Sequence, residues 1–304
     1  MLSICIPIYN YDVTTLVKHL HQQGAALNID FEILLMDDAS QQNYKAINRE
    51  CYELEHVIAI ELEQNVGRSR IRNLLAQKAR YSWLIFMDCD SQCPDDRYLA
   101  RYMEHAKGEG VVCGGRIYDD QAPEDDTYLH WLFGNKREVK SCNIRARKPN
   151  HSFMTNNFMI SATIMRQIPF DEGLIGYGHE DTLFGLDLLK NGIKIRHIEN
   201  PLIHVGLQDA DDFLTKTREG TRNLLKVYKI TGRDKALPEM VKLLKTWLII
   251  KKLGLCRLSG YILGRMEPML LRNLKGKNPS IFFLDLFKLG CICRQTIRFK
   301  KISQ

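Results

Sequence analysis

The chain has 304 residues, 45% of them apolar, 26% charged and 9% aromatic, a composition that excludes disordered, collagen-like and disulfide-stapled classes. Its net charge of +7 is unevenly spread: residues 241–304 hold fourteen Lys and Arg against only Glu267 and Asp285, a net of +12, which leaves residues 1–240 at −5. A mildly acidic body joined to a strongly basic tail implies a catalytic or binding domain tethered to something anionic, a nucleic acid or a membrane surface.

In chain order, the short apolar runs LSICIPI (2–8), FEILLM (31–36), HVIAIEL (56–62) and WLIFM (83–87) predict buried strands, being brief, nearly continuous and bounded by polar turns. Between them, Val13–Gln23, Tyr44–Glu53 and Arg68–Lys78 repeat apolar residues every three or four positions, which predicts amphipathic helices. Strand and helix in alternation predict a mostly parallel sheet covered by helices on both faces, an α/β fold. Residues 111–205 are less regular: a strand candidate at 111–117 is broken by Gly114 and Gly115, and a polar, basic stretch runs from Lys136 to Asn150. A helix is predicted over 180–190, short strands at 193–198 and 201–205, and helices from about 208 onward.

In parallel α/β sheets, ligands bind beyond the carboxyl ends of the strands. Here those ends read Pro7-Ile8-Tyr9-Asn10, Asp37-Asp38-Ala39-Ser40 and Asp88-Cys89-Asp90. An acidic residue after a strand has a plain use in capping the next helix, and that suffices for Ser40. Two carboxylates one residue apart repel each other unless a cation lies between them. Hard divalent cations take oxygen ligands, and Mg²⁺ sites combine one or two carboxylates with substrate phosphates.

Taken together and in order, ICIPIYN, ILLMDDAS, NVGRSRIRN (65–73), WLIFMDCDS, FMTNNFMI (153–160), PFDEGLIGYGHED (169–181) and NPLIHVG (200–206) resemble the family 2 glycosyltransferases, inverting enzymes of the GT-A fold. The resemblance covers about residues 1–230. It implies a GT-A domain over 1–230, with a nucleotide-binding half at about 1–117 and an acceptor half at about 118–230, followed by a basic amphipathic helical tail at 231–304. It further implies that Asp38 accepts a hydrogen bond from the nucleotide base with Asp37 nearby, that Pro7 and Tyr9 line the base and ribose pocket, and that Arg72 and Asn73 hold the same half of the cleft. Asp88 approaches the ribose or the metal, Asp90 ligates an Mn²⁺ or Mg²⁺ ion on the donor diphosphate, and His204 completes that metal site in some relatives. Asp181 is implied as the general base, with Glu180 and Asn157 on the nucleotide-sugar.

Each of these residues has a plainer use. Glu180 and Asp181 open a helix and suit its positive end, His204 follows a strand as core histidines do, and Asn156 and Asn157 can satisfy a turn. Arg68 and Arg70 read as solvated helix-face charges. Trp131 and Phe133 are either a sugar platform or core.

In the tail, VKLLKTWLIIKK places Val241, Leu244 and Leu248 on one helical face beside Trp247, with lysines largely opposite, and LSGYILGRMEPMLLRNL and IFFLDLFKLGCICRQTIRFKK repeat its apolar, aromatic-rich and basic character. Basic amphipathic helices of this kind lie in a membrane interface; a helical subdomain packed on the catalytic domain or on a second subunit is the alternative. Nothing resembles a nucleic-acid-binding module. The nine cysteines lack zinc-site spacing, no run reaches the roughly 18 apolar residues of a transmembrane span, and MLSICIPIYN lacks the parts of a signal peptide, so a cytoplasmic enzyme, peripheral on the inner face of the membrane, is expected.

The sequence therefore predicts a metal-dependent transfer of a sugar from a nucleotide-sugar, a UDP-sugar foremost, to a hydroxyl of a glycan or lipid-linked glycan. Two alternatives stand beside it: a non-catalytic nucleotide-sugar-binding scaffold, and a sugar-phosphate nucleotidyltransferase. The last would want a Gly-rich phosphate loop after the first strand, where Pro7-Ile8-Tyr9-Asn10 stands instead.

Overall fold

The computed structural model describes the backbone of residues 1–302 and side chains as far as residue 295. The four apolar runs form β1 (Leu2–Ile8), β2 (Phe31–Asp37), β3 (Val57–Glu61) and β4 (Trp83–Met87), alternating with helices α1 (Thr14–Ala26), α2 (Gln42–Asn48) and α3 (Arg68–Lys78). The second helix is shorter than its pattern predicts and ends in a 3-10 turn, Arg49–Cys51. Next come β5 (Ser91–Gln92), α4 (Tyr98–Met103), β6 (Val111–Cys113), β7 (Arg116–Ile117), α5 (Tyr128–Phe133), α6 (Cys142–Ala146), β8 (Asn157–Ser161) and α7 (Ala162–Gln167). They are followed by α8 (Glu180–Lys190), β9 (Arg196–His197) and β10 (Leu202–His204). From there the described chain is helical: α9 (Ala210–Ile230), α10 (Leu237–Met240), α11 (Lys242–Lys252), α12 (Cys256–Leu274) and α13 (Ile281–Ile302).

The main sheet has the order β3-β2-β1-β4-β8-β6-β9. All neighbours are parallel except β8, which runs antiparallel to both β4 and β6. Because β1 and β2 pair in register from Leu2↔Phe31 to Ile8↔Asp37, their carboxyl ends lie at one edge. The reversed β8 brings its first residue there too, Asn157 opposite Met87. Strand alternation sorts the core: Leu2, Ile4, Ile6 and Ile8 pack with Val17, Leu20 and Tyr102 on one face, while Cys5, Leu34 and Phe86 pack with Ile71, Phe158 and Phe184 on the other.

The strand predicted over 111–117 is two strands in two sheets. A Cβ at Gly114 would lie 2.2 Å from the Asn200 carbonyl oxygen, so only glycine lets the chain turn there. After that turn, β7 joins β10 and β5 in a three-stranded sheet of order β5-β10-β7.

The chain divides into two compact units. The first comprises Met1–Asp119, Arg137–Gly173 and Glu180–Gly206 and contains both sheets. The second comprises Asp120–Lys136, Leu174–His179 and the chain from Leu207 onward. This division differs from a boundary at 230, because α9 shares its apolar face with the helices that follow it. Phe213 and Leu214 pack with Leu129, Leu270, Leu284 and Phe287. Leu244 and Trp247 are also buried, so the face predicted for membrane contact at Leu244 turns inward instead. Phe133 packs against Phe213 and is core; Trp131 stacks on Tyr128. Among the described residues no helix is long and apolar enough to cross a membrane. All nine cysteines are free.

Candidate active site

The carboxyl edge of the main sheet gathers the acidic strand ends. Asp37 is buried and accepts from the Ser40 amide at 2.7 Å, with Lys45 Nζ at 3.8 Å; its Oδ2 is buried without a hydrogen-bond partner. Asp38 turns to the loop before α3, where Oδ1 accepts from the Val66 amide at 2.6 Å and Oδ2 from the Gly67 amide at 3.1 Å. Burial raises the Asp38 carboxyl above its ordinary range against those two bonds. Beside them Pro7 is partly buried, and Tyr9 is 54% exposed, an aromatic surface at the mouth of this edge.

Asp88, at the end of β4, sits among arginines. Arg72, which is 2% exposed, donates to its Oδ1 at 2.6 Å; Arg116 lies 3.5 Å and Arg68 3.8 Å from Oδ2. Arg116 also donates to Glu138 at 3.0 Å, and the Tyr118 hydroxyl donates to the same Glu138 oxygen at 2.5 Å. Of these, Arg68 corrects the expectation of a solvated charge: its Nε donates to Glu180 at 2.5 Å. Arg70 is exposed, 3.8 Å from Glu172, as its pattern predicts. Arg116 and Glu138 were not singled out from the sequence. A basic residue directly after a Gly-Gly break was the available signal for Arg116; Glu138 offered none.

Asp90 and His204 meet through the small sheet. Pairing β5 with β10 sets His204 opposite Ser91, and the Val205 amide donates to the Asp90 carbonyl at 3.0 Å. His204 Nδ1 thereby lies 3.5 Å from Asp90 Oδ1, a buried oxygen with no hydrogen bond of good geometry. The Tyr118 ring packs edge-on against the His204 ring, centroids 5.4 Å apart. A Cβ at Gly206 would stand 2.5 Å from the Asp90 Cβ, so the backbone there must be glycine. Burial opposes ionisation of Asp90; the contact and charge of His204, then Arg116 and Arg68, overcome it and hold the carboxyl at about 2.

Among the described residues no three His, Cys, Asp or Glu side chains converge as a complete metal cage. Asp88 is committed to arginines, so the expected set of Asp88, Asp90 and His204 does not assemble. The pair that does, an ionised Asp90 with an unsatisfied oxygen beside an imidazole, suits a divalent cation that takes its other ligands from substrate oxygens and water.

Glu180 and Asp181 begin α8. Glu180 is buried; burial opposes its charge, but Arg68 and Arg72 hold it below the ordinary glutamate range. Asp181 is partly exposed, and its Oδ1 accepts from the Thr182 amide at 2.6 Å and hydroxyl at 3.2 Å. Burial, and next the charge of Glu180, raise the Asp181 carboxyl to about 6. A carboxylate tuned toward neutrality at an accessible helix end can act as a proton acceptor.

Two expected ligands are structural. Asn157 is fully buried; its Nδ2 donates to the Gly115 and Asn200 carbonyls at 2.8 Å each, and its Oδ1 accepts from Tyr98 at 2.8 Å and Tyr102 at 2.6 Å. All four hydrogen-bonding positions of that amide are used, which leaves none for a donor sugar. Asn73 likewise clamps the 170–172 loop, exchanging bonds with the Phe170 backbone and donating to Glu172 at 2.8 Å. Asn156 lends its carbonyl to the Asp88 amide at 3.3 Å, and its buried Oδ1 has no hydrogen-bond partner.

Comparison with known proteins agrees with this architecture. The model of glycosyl transferase family 2 matches residues 3–169, more than half of the chain. Chondroitin synthase of Escherichia coli is 24% identical over 241 residues, which is 67% of this chain but 34% of that protein, so the chain spans about a third of that relative's length. Among solved structures, a mannosyltransferase of Pyrobaculum calidifontis in complex with GDP-Man and Mn²⁺ superposes with a TM-score of 0.53 at 12% identity, covering 75% of this chain and 64% of its own. S. aureus TarS 1-349 in complex with UDP gives 0.51 at 17% identity, covering 97% of this chain and 91% of its own. Both share the GT-A arrangement of a mostly parallel sheet between helices. By the reach of its family model the protein belongs to glycosyl transferase family 2.

Proposed function

We propose that the protein moves a sugar from a nucleotide-sugar, a UDP-sugar, to a hydroxyl of a growing glycan with inversion at the anomeric carbon. The observation that carries this reading is the Asp90–His204 pair, with its unsatisfied buried oxygen, at the same sheet edge as Asp37 and Asp38. The nucleotide follows the UDP-bound neighbour that covers most of the chain, and the polysaccharide acceptor follows the name of the chondroitin synthase relative.

In this reading the base and ribose lie against Pro7, Tyr9, Asp37 and Asp38. Arg72 and Arg116 hold Asp88 turned inward, and Arg68 bridges Asp88 and Glu180 with a partly exposed guanidinium that can also meet phosphate oxygens. Asp90 and His204 would hold a Mn²⁺ or Mg²⁺ ion, which when bound would stabilise the charge on the departing nucleoside diphosphate. Asp181 takes the proton of the acceptor hydroxyl as its oxygen forms the bond to the anomeric carbon and the bond to the diphosphate breaks. The Thr182 bonds fix Oδ1 of Asp181 and leave Oδ2 to receive that proton.

Calorimetric titration of UDP, GDP and CMP, each with Mn²⁺ and after EDTA, tests this. Binding of UDP alone, only with metal and lost in Asp90→Ala, is the expected result. Equal binding with and without metal would remove the metal role, and no binding of any nucleotide would favour a non-catalytic scaffold.

A further inference from the structure

A helix in a water-soluble fold turns its apolar stripe toward the core and its polar stripe outward. The corner between α11 and α12 does not follow this rule. Around Gly254, whose φ of 74° makes the turn, Ile249, Leu253, Leu255, Leu258, Tyr261 and Ile262 are all exposed, between 43% and 65%. On α12 the outward residues Arg257, Leu258, Tyr261, Ile262, Arg265 and Met269 form one stripe, while Leu263, Leu270 and Leu274 face the core. The helix is therefore apolar on both sides, and its outer side is interleaved with arginine and edged by Lys252.

A second feature lies on the same helix. A groove of about 340 Å³ is lined by Arg257, Gly260, Tyr261, Gly264, Arg265 and Arg294. Gly264 lies in its lining, where a Cβ would stand 3.1 Å from Arg294. Three guanidinium groups surround it. One of them, Arg294, is held by Glu267 at 2.8 Å. Guanidinium forks match phosphate geometry, and a tyrosine at the rim of an apolar stripe suits a boundary between hydrocarbon and water.

We propose that the α11–α12 corner is a membrane-seating surface, its exposed apolar residues entering the interface of an anionic phospholipid bilayer and its arginine-lined groove taking lipid phosphates. Charge decides between a bilayer and a second copy of the chain. Residues 241–304 carry a net +12, so two such surfaces repel each other, whereas an anionic leaflet attracts them. Of the basic apolar stretches legible in the tail, the structure spends Leu244 and Trp247 of the first on the core and leaves Leu258, Tyr261 and Ile262 of the second outside it. The proposal stands apart from the donor chemistry, because it is read without turnover.

The test is co-sedimentation of the full chain with vesicles of phosphatidylcholine alone and of phosphatidylcholine mixed with phosphatidylglycerol. Binding to the mixed vesicles only, weakened by salt, is expected. Each arginine removed should weaken partitioning roughly fivefold, so Arg257→Gln with Arg265→Gln loses about 25-fold. Leu258→Glu with Ile262→Glu should release the protein altogether. These side chains are outside the core, so unchanged thermal melting confirms that the variants fold. Failure of the full chain to sediment with mixed vesicles, or undiminished binding by both variants, overturns the proposal. So does a dimer in analytical ultracentrifugation that dissociates in Leu258→Glu/Ile262→Glu while vesicle binding persists.

Discussion

Arg68 Nε donates to Glu180 Oε1 at 2.5 Å across 112 residues of sequence, and the same guanidinium lies 3.8 Å from Asp88. One cation thus links the end of β4 to the start of α8, joining the proposed donor side to the residue before Asp181. Arg68→Ala should lower kcat/KM about 10- to 100-fold, the worth of a charge-assisted hydrogen bond of about 1.5–3 kcal/mol. Arg68→Lys keeps the charge without the fork and should recover part of the loss. Steady-state kinetics of the two variants with a UDP-sugar is the measurement, and equal rates for both would mean that the fork, rather than the charge, matters.

Asp181 sets the acid limb. Because burial and Glu180 raise its carboxyl to about 6, the base form is present above that pH and is lost below it. The rate should therefore fall as pH drops through 6, approaching tenfold per unit. Glu180→Gln removes the nearby negative charge and should move this limb to lower pH. Asp181→Asn should cut kcat by about 10²- to 10⁴-fold with donor binding retained. Linkage gives a second sign: a carboxyl raised in the fold favours the native state less as pH climbs past its unfolded value, so Asp181→Asn should melt higher than the parent at pH 7 and lose that advantage in acid.

Gly206 offers a probe of the proposed metal pair that alters no ligand. Gly206→Ala sets a methyl group 2.5 Å from the Asp90 Cβ, an overpacking that costs about 1–3 kcal/mol unless Asp90 moves. Displacement of Asp90 should weaken Mn²⁺-dependent nucleotide binding in calorimetry and leave any metal-independent component unchanged. His204→Ala should do the same without the strain.

Asn157 separates structural from binding roles. Asn157→Ala strands two tyrosine hydroxyls and two backbone carbonyls in the core, at a cost of about 3 kcal/mol or more. A melting point lower by on the order of 10 °C is expected. At a temperature where the variant is folded, nucleotide affinity should match that of the parent; a selective loss of affinity without loss of stability would return Asn157 to the donor site.

Much of the fold was legible because its signals are local. Buried parallel strands must be short and apolar, helices must repeat their apolar residues about every 3.6 positions, and carboxylates at strand ends mark the ligand edge. The four strands of the first hundred residues, the helix that starts at Glu180, and the acidic pairs at 37–38 and 88–90 follow from those rules alone. What a polar side chain bonds to is not local. The sequence offers Asn157 to the nucleotide-sugar and Asp90 to the metal with nothing local to tell a ligand from a structural residue, yet the antiparallel entry of β8 consumes every hydrogen bond of one, and the pairing of β5 with β10 leaves an oxygen of the other unsatisfied beside His204. Arg68 reads as a surface charge until α8 folds back over α3 to supply Glu180. The tail follows the same logic: its periodicity shows that helices have apolar faces, but only packing decides that Leu244 and Trp247 are spent on the core while Leu258, Tyr261 and Ile262 are left outside it.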